Sequence, residues 1–243
     1  RQMCIRDRYI APTRIEWSQA KRAVSQMLRD GDSSSLKKAA SKFSTAMKSD
    51  ATYGKTFSNA ATGILSLSKN ISSQGLNYAL EQINRPDLIG KSSEEIWNEL
   101  LNQYTSDGAT IEDSLAADAL SKALENLQVD DLDQLGNVPQ ESLLKEMLIE
   151  FIAISFDFRF AEKIGKGRSP AETQRILKDM QDYIRSSLYE KLNLEAIKNE
   201  DFSDLSNSKY VSAELTEAFS IFEELFTCLL YTSPSPRDST SSR

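Results

Sequence analysis

The chain has 243 residues, a net charge of −7 and 40% hydrophobic residues, with two cysteines and no histidine. This length allows one substantial domain or two small ones, and the apolar content suffices for a sizeable core. The lack of histidine excludes a Ser-His-Asp triad and a Cys₂His₂ zinc finger. No apolar run reaches the roughly 18 residues that a membrane-spanning helix requires.

Both cysteines lie in terminal segments that do not read as protein-coding sequence. Residues 1–8 (RQMCIRDR) and residues 228–243 (beginning CLLYTSPSPRD) correspond to translations of two opposite transposase-type sequencing adapters. We therefore expect both ends to be non-native and residues 9–227 to be an internal fragment of an open reading frame. That body has a net charge of −10 and no cysteine, so a cysteine nucleophile is excluded and a cytoplasmic location is expected.

The first third of the body has helical periodicity, and strand signals are essentially absent along the whole chain. Residues 14–29 predict a helix whose apolar face includes Ile15, and Gly31 suits a left-handed stop. A second helix is predicted over residues 35–48. Residues 51–84 form a stretch rich in small residues, which we expect to be helical with a break near Gly75.

Start signals mark the helices of the remaining chain. Capping patterns at Ser92 and Thr110 predict two helices, and residues 130–139 read as a loop. Residues 140–164 are apolar on nearly every side, which predicts a buried central helix. Ser169 and the proline after it predict a helix to about residue 194. A polar loop over residues 199–209 and a last helix over residues 212–226 complete the pattern.

These elements predict an all-α fold, an irregular multi-helix bundle of about seven to nine helices around a central apolar helix. We divide the body into basic and small-residue-rich helices (9–85), a central and C-terminal helical body (86–198), and a loop with a truncated last helix (199–227). The charge is segregated, with +5 over residues 14–55 and −12 over residues 81–150. Opposite ends of the chain are therefore expected to dock on each other or on different partners.

Two basic groups are candidate partner-binding or anion-binding sites. Lysines of the second helix lie near basic residues of the first. They predict either a face that contacts nucleic acid or an ordinary solvated face. The net negative charge of the chain disfavours a general nucleic-acid binder. A second group surrounds the turn before Ser169, where a helix N-terminus attracts anions. The candidates from the two groups are Lys37, Lys38, Lys42, Lys166, Arg168 and Arg185.

Other motifs have structural explanations that compete with functional ones. The segments 53–56 (YGKT) and 165–169 (GKGRS) resemble phosphate loops but lack the preceding strand and the full spacing. Carboxylates near residues 112–118 and 130–133 suit Mg²⁺ or Ca²⁺, yet helix capping and solvated loops explain them equally. We therefore assign no catalytic residue, no metal ligand and no cofactor. The aromatic residues Phe151, Phe156, Phe158 and Phe160 are expected in the core, with Trp17 and Trp97 as packing anchors.

Four segments together form a pattern of helices that is similar to a known family. They are residues 11–32 (APTRIEWSQAKRAVSQMLRDGD), 53–71 (YGKTFSNAATGILSLSKNI), 105–120 (TSDGATIEDSLAADAL) and 155–188 (SFDFRFAEKIGKGRSPAETQRILKDMQDYIRSSL). These segments resemble the QatB family of the Qat anti-phage defence system. The strongest likeness is at Asp107 and Gly108 and at Asp182, Tyr183 and Arg185. The resemblance spans about residues 11–192, and nothing after Asn199 resembles the family.

This resemblance implies a bacterial cytoplasmic protein that works beside an ATPase, a QueC-like enzyme and a TatD-like nuclease. It implies no active site in this component. It also implies that the QueC-like partner carries out a nucleobase-modification chemistry, and the family's N-terminus is the expected acceptor in that reaction. We expect that N-terminus to be absent from this chain, so the resemblance assigns the acceptor role to no residue here.

Three hypotheses follow. The first is a non-enzymatic helical defence component that binds protein partners, the second a carboxylate-based enzyme using a divalent ion, and the third a generic cytoplasmic helical adaptor. No membrane association is expected, and the oligomeric state stays open.

Overall fold

The computed structural model describes residues 15–50, 53–105, 110–200, 202 and 208–232, with side chains described as far as residue 224. Within those residues the regular structure is helical, which confirms the predicted all-α class. The ten α-helices there, one of them a single turn, are α1 Ile15–Asp30, α2 Ser33–Lys48, α3 Lys55–Gln74, α4 Leu76–Gln82, α5 Ser93–Tyr104, α6 Ile111–Asn126, α7 Leu132–Leu135, α8 Gln140–Gly165, α9 Pro170–Lys191 and α10 Ser208–Thr232.

The helix boundaries follow local chemistry. The Ser92 hydroxyl accepts a hydrogen bond from the Glu95 N–H, and the Glu95 carboxylate accepts one from the Ser92 N–H. Thr110 and Asp113 form the same reciprocal pair at the start of α6. Such pairs satisfy N–H groups that the first turn of a helix leaves without an intrahelical partner. Gly75, with a φ of 84°, separates α3 from α4 at the predicted break.

The central apolar helix is α8, as predicted. The aromatic side chains of its second half meet α1 and α2, because the Phe156 and Phe43 rings lie 5.4 Å apart and the Phe160 and Trp17 rings 6.5 Å apart. Phe151, nearer its middle, stacks on Phe57 of α3 at 4.2 Å. The other helices that pack on α8 are α6 and α9, and α10 packs on α2, α3 and α9. One continuous apolar core therefore runs through the described helices.

Two apolar side chains that we expected in the core are on the surface. Ile15 is 67% exposed, because it is the first residue of α1 and lies beyond the region where α1 meets its neighbours. Phe158 is 45% exposed, because a helix lined by apolar residues on almost every side still turns one edge to solvent. The prediction of core positions was wrong for both residues.

Two predicted loops contain helical structure. Residues 130–139 include the single turn α7, whose Leu132 and Leu135 are buried. In the predicted loop 199–209, α10 begins at Ser208 and not at residue 212. The prediction of a loop over residues 130–139 was wrong for α7, because the polar side chains there masked two leucines that are buried in the fold. More than half of the predicted loop 199–209 lies outside the described residues, so the structure corrects only its boundary with α10. The backbone of α10 continues to Thr232, beyond residue 227, where we expected the native sequence to end.

No helix within the described ranges is long and apolar enough to cross a bilayer.

Candidate functional site

A basic groove lies on the surface between α1 and α2. It has a volume of about 690 Å³ and contains four cationic side chains, Arg22 and Arg29 from α1 and Lys38 and Lys42 from α2. We call this feature the α1–α2 groove. Gln19, Ala23, Ser25 and Gln26 are the other described residues that line it, and this described lining contains neither an aromatic ring nor a carboxylate. The groove therefore presents positive charge beside amide and hydroxyl groups.

The cations of the α1–α2 groove are not neutralised by the part of the chain that the structure describes. Arg22 and Arg29 are exposed, while Lys38 and Lys42 are half-buried. The Lys38 ammonium donates a 2.9 Å hydrogen bond to the Gln26 side-chain oxygen, a neutral partner that positions the charge without cancelling it. No ion pair joins any of the four to a described carboxylate. The groove thus has a local excess of positive charge.

The structure brings together only part of the predicted basic sites. Lys38 and Lys42 line the α1–α2 groove, whereas Lys37 is half-buried on α2 outside that lining. Lys166 is exposed in the turn between α8 and α9. Arg168 in the same turn donates to the Ile164 carbonyl at 3.0 Å and pairs with Glu172 at 3.4 Å. These contacts close the end of α8 and the start of α9.

Arg185 lies on α9 at the centre of a polar cluster against α8. Its guanidinium pairs with Glu146 at 2.7 Å and with Glu150 at shorter range. The Tyr189 hydroxyl donates to Glu146 at 2.8 Å, and the Asn126 amide of α6 donates to both carboxylates, at 2.8 and 2.9 Å. We call these five residues the Arg185 cluster. Arg185 is therefore engaged in ion pairs within the fold. It lies far along α9 from Lys166 and Arg168, so the structure does not bring it together with them.

The two carboxylates of the Arg185 cluster differ in their acidity. Burial pushes the pKa of Glu146 upward, but hydrogen bonds from Arg185, Tyr189 and Asn126 outweigh burial and hold that pKa below its usual value. Burial raises the pKa of Glu150, and the charge of Arg185 offsets the rise only in part. The cluster thus joins α6, α8 and α9 through a cation that both carboxylates share.

The sequence contained a signal for this cluster that we missed. Glu146 and Glu150 are four residues apart, on one face of a helix that is otherwise apolar at that depth. Two buried carboxylates on the same face require a cation or hydrogen-bond donors from a neighbouring helix. The basic pattern around Ser169 groups Arg185 with the residues of that turn, whereas its partners are Glu146 and Glu150 of α8.

The segment that resembles a phosphate loop already has an anion at its helix terminus. Gly54, with a φ of 82°, precedes α3, and the Glu112 carboxylate of α6 accepts a 3.3 Å hydrogen bond from the Thr56 N–H. Burial raises the pKa of Glu112, although hydrogen bonds from the backbone of Thr56 and Gly54 oppose the rise. A side-chain carboxylate therefore lies where a phosphate loop would hold a phosphate.

The remaining candidates have separate positions. Asp107 and Gly108 lie outside the described residues. Asp182 is exposed, and the Tyr183 ring packs 6.0 Å from the Phe222 ring of α10, where burial raises the pKa of the Tyr183 hydroxyl. Over the described part of the chain, no group of three or more Asp, Glu, Cys or His side chains is arranged to hold a metal ion.

A family model described as "Qat anti-phage system associated protein QatB" matches residues 38–222, more than half of the chain. The match includes most of α10, so the resemblance extends further towards the C-terminus than the sequence segments indicated. The comparisons with curated proteins and with solved structures gave no match.

Proposed function

Because this chain belongs to the QatB family of Qat anti-phage system proteins, we propose that it is a non-catalytic helical component that acts by binding protein partners. Family membership favours this reading over a generic adaptor unrelated to defence. Its expected partners are the ATPase and the QueC-like protein of the same system, and its expected location is the cytoplasm. A QueC-like partner is also consistent with the family N-terminus being an acceptor for modification.

The α1–α2 groove is the observation that carries this proposal. Four cations face solvent there without a described carboxylate partner, whereas the Arg185 cluster and Glu112 are engaged inside the fold. Charge that is directed outward accelerates encounter with an oppositely charged surface and selects among partners. The Arg185 cluster and Glu112 instead connect helices of the fold to one another.

Co-expression with the ATPase and the QueC-like protein of the same gene cluster tests the proposal. The tagged full chain should co-elute with at least one of them in size-exclusion chromatography. The complex should weaken as salt rises from about 50 to about 500 mM, because exposed charges are screened within a few ångströms at high ionic strength. If purified chain and partners elute separately at every salt concentration, association with those partners is not its function.

A further inference from the structure

We propose that the α1–α2 groove binds an acidic α-helix of a protein partner, one with carboxylates repeated along a single face. This inference rests on the proposed function and specifies the surface and the partner chemistry. The cations lie on both walls of one groove, and none of the described residues that line it has a carboxylate. A ligand that lies along the groove therefore meets positive charge from two helices at once.

The spacing of the cations suits a helical ligand. Lys38 and Lys42 are four residues apart on α2, so they lie about 6 Å apart along the helix axis. Arg22 and Arg29 are seven residues apart on α1, which corresponds to about 10.5 Å, or two helical turns. Carboxylates at positions i, i+4 and i+7 of a partner helix repeat over the same distances. Two packed helices also form the shape of groove into which a third helix fits.

The lining disfavours nucleic acid. Single-stranded nucleic acid is usually held by aromatic rings on which bases stack, and none of the described residues that line the α1–α2 groove is aromatic. An extended polyanion would also leave the groove and meet a chain whose net charge is −7. A helix with carboxylates on one face places its negative charge only against the groove. The arginine guanidiniums can bind those carboxylates in a bidentate manner.

Binding of defined probes to the full chain tests the proposal. The first probe is a fluorescent alanine-based helix of about 20 residues with glutamates at i, i+4 and i+7 on one face. The second has the same composition with its glutamates spread around the helix, and the third is a single-stranded oligonucleotide of equal charge. We expect the one-faced peptide to bind about tenfold more tightly than the spread peptide. Equal binding of the two peptides, or tighter binding of the oligonucleotide, would overturn the inference.

Variants locate the site. Replacing Arg22 and Arg29 by glutamine changes exposed side chains only and should weaken binding of the one-faced peptide by about tenfold, because two charge-assisted contacts are lost. Replacing Lys21 and Lys37 by glutamine removes two positive charges from the same helices outside the groove lining and should leave the affinity within about twofold. Thermal melting of each variant confirms that it folds. Equal effects of the two double variants would contradict the assignment.

The same double variants distinguish this inference from the proposed function. If the unaltered chain co-elutes with its system partners and the Arg22→Gln/Arg29→Gln variant does so equally well, association stands and the α1–α2 groove is not the docking surface. If the unaltered chain co-elutes with none of them, the proposed function itself fails.

Discussion

At the scale of single residues, Phe151 tests whether the central helix is buried. It is fully buried on α8, stacks on Phe57 at 4.2 Å and lies 5.5 Å from the Tyr53 ring. We expect Phe151→Ala to lower the free energy of unfolding by about 3–5 kcal/mol, measured by urea denaturation, because a cavity remains among close-packed neighbours.

Phe158 provides a matched control on the same helix. Its side chain is 45% exposed, so Phe158→Ala leaves little or no cavity and should cost less than about 1 kcal/mol. A similar cost for the two substitutions would mean that α8 is not the buried helix described here.

Asp157 makes the stability of the fold depend on pH. Burial raises its pKa from 3.8 to about 6, although a 2.5 Å hydrogen bond from the Gln181 amide opposes the rise. Its other oxygen, Oδ1, is buried without a hydrogen-bond partner among the described residues. Because the folded pKa exceeds the unfolded one, the proton on Asp157 stabilises the fold below about pH 4, and this stabilisation is lost as pH rises through 6.

The Asp157→Asn variant tests this dependence. Asparagine stays uncharged, so the variant should gain stability over the parent chain at pH 7 and gain much less at pH 4.5. Urea denaturation of both proteins at the two pH values gives the comparison. A gain of the same size at both values would show that the Asp157 carboxyl titrates normally in the folded chain.

At the scale of elements, the Arg185 cluster fixes how α9 packs on α8. Arg185→Met leaves the buried Glu146 and Glu150 side by side without their shared cation. Loss of one partner from a partly buried ion pair should therefore lower the free energy of unfolding by about 1–3 kcal/mol. The control is Arg175→Met on the same helix, which removes an exposed pair with Asp179 at 3.9 Å and should cost under about 1 kcal/mol. Equal costs in urea denaturation would contradict the structural role of the cluster.

Gly63 lets α3 approach α5 closely. A Cβ atom at this position would lie 2.6 Å from Cε1 of the Tyr104 ring. Although alanine favours helix more than glycine does, we expect Gly63→Ala to lower the thermal midpoint, with a cost of about 1–3 kcal/mol for the overpacked contact. Asn70→Ala, a helix-favouring change elsewhere on α3, should leave the midpoint unchanged or raise it slightly. A gain for both variants would show that α3 and α5 do not meet at this distance.

The sequence correctly predicted those features of the helices that depend only on residues close together in the chain. The capping pairs at Ser92 and Thr110 and the break at Gly75 depend on residues that are neighbours in the chain, and all three were confirmed. The turn α7 depends on the burial of Leu132 and Leu135 against distant helices, so local polarity predicted a loop there. Local sequence patterns also could not predict contacts between residues that are far apart in the chain. The main examples are the contacts of Arg185 with α8 and of Glu112 with the start of α3.

The candidate site was predicted only in outline. Helical spacing pointed to Lys38 and Lys42 on α2 as one basic face with Arg22 and Arg29 of the first helix. The structure places these four side chains around one groove, whose existence depends on how α1 packs on α2. No sequence pattern fixes that packing angle, because it follows from the fit of side-chain ridges on both helices.

At the scale of the whole molecule, the non-catalytic proposal makes a clear prediction about divalent ions. We expect the thermal midpoint in Mg²⁺ or Mn²⁺ to equal the midpoint in NaCl at the same ionic strength. A specific site held at 100 times its Kd would add about 2.7 kcal/mol to the stability of the folded state. An upward shift that is specific to the divalent ion and reversed by a chelator would instead favour the carboxylate-based enzyme.

The position of α8 also has a consequence for how the molecule opens. This helix of 26 residues extends about 39 Å and contacts most of the other long helices, whereas α1 packs mainly on α2 and meets α8 through Trp17 and Phe160. Amide hydrogens in the middle of α8 should exchange with deuterium only through complete unfolding, and those of α1 through a smaller opening at lower free energy. One wall of the α1–α2 groove would then belong to a helix that opens more readily than α8, and ligand binding there should slow the exchange of the α1 amides.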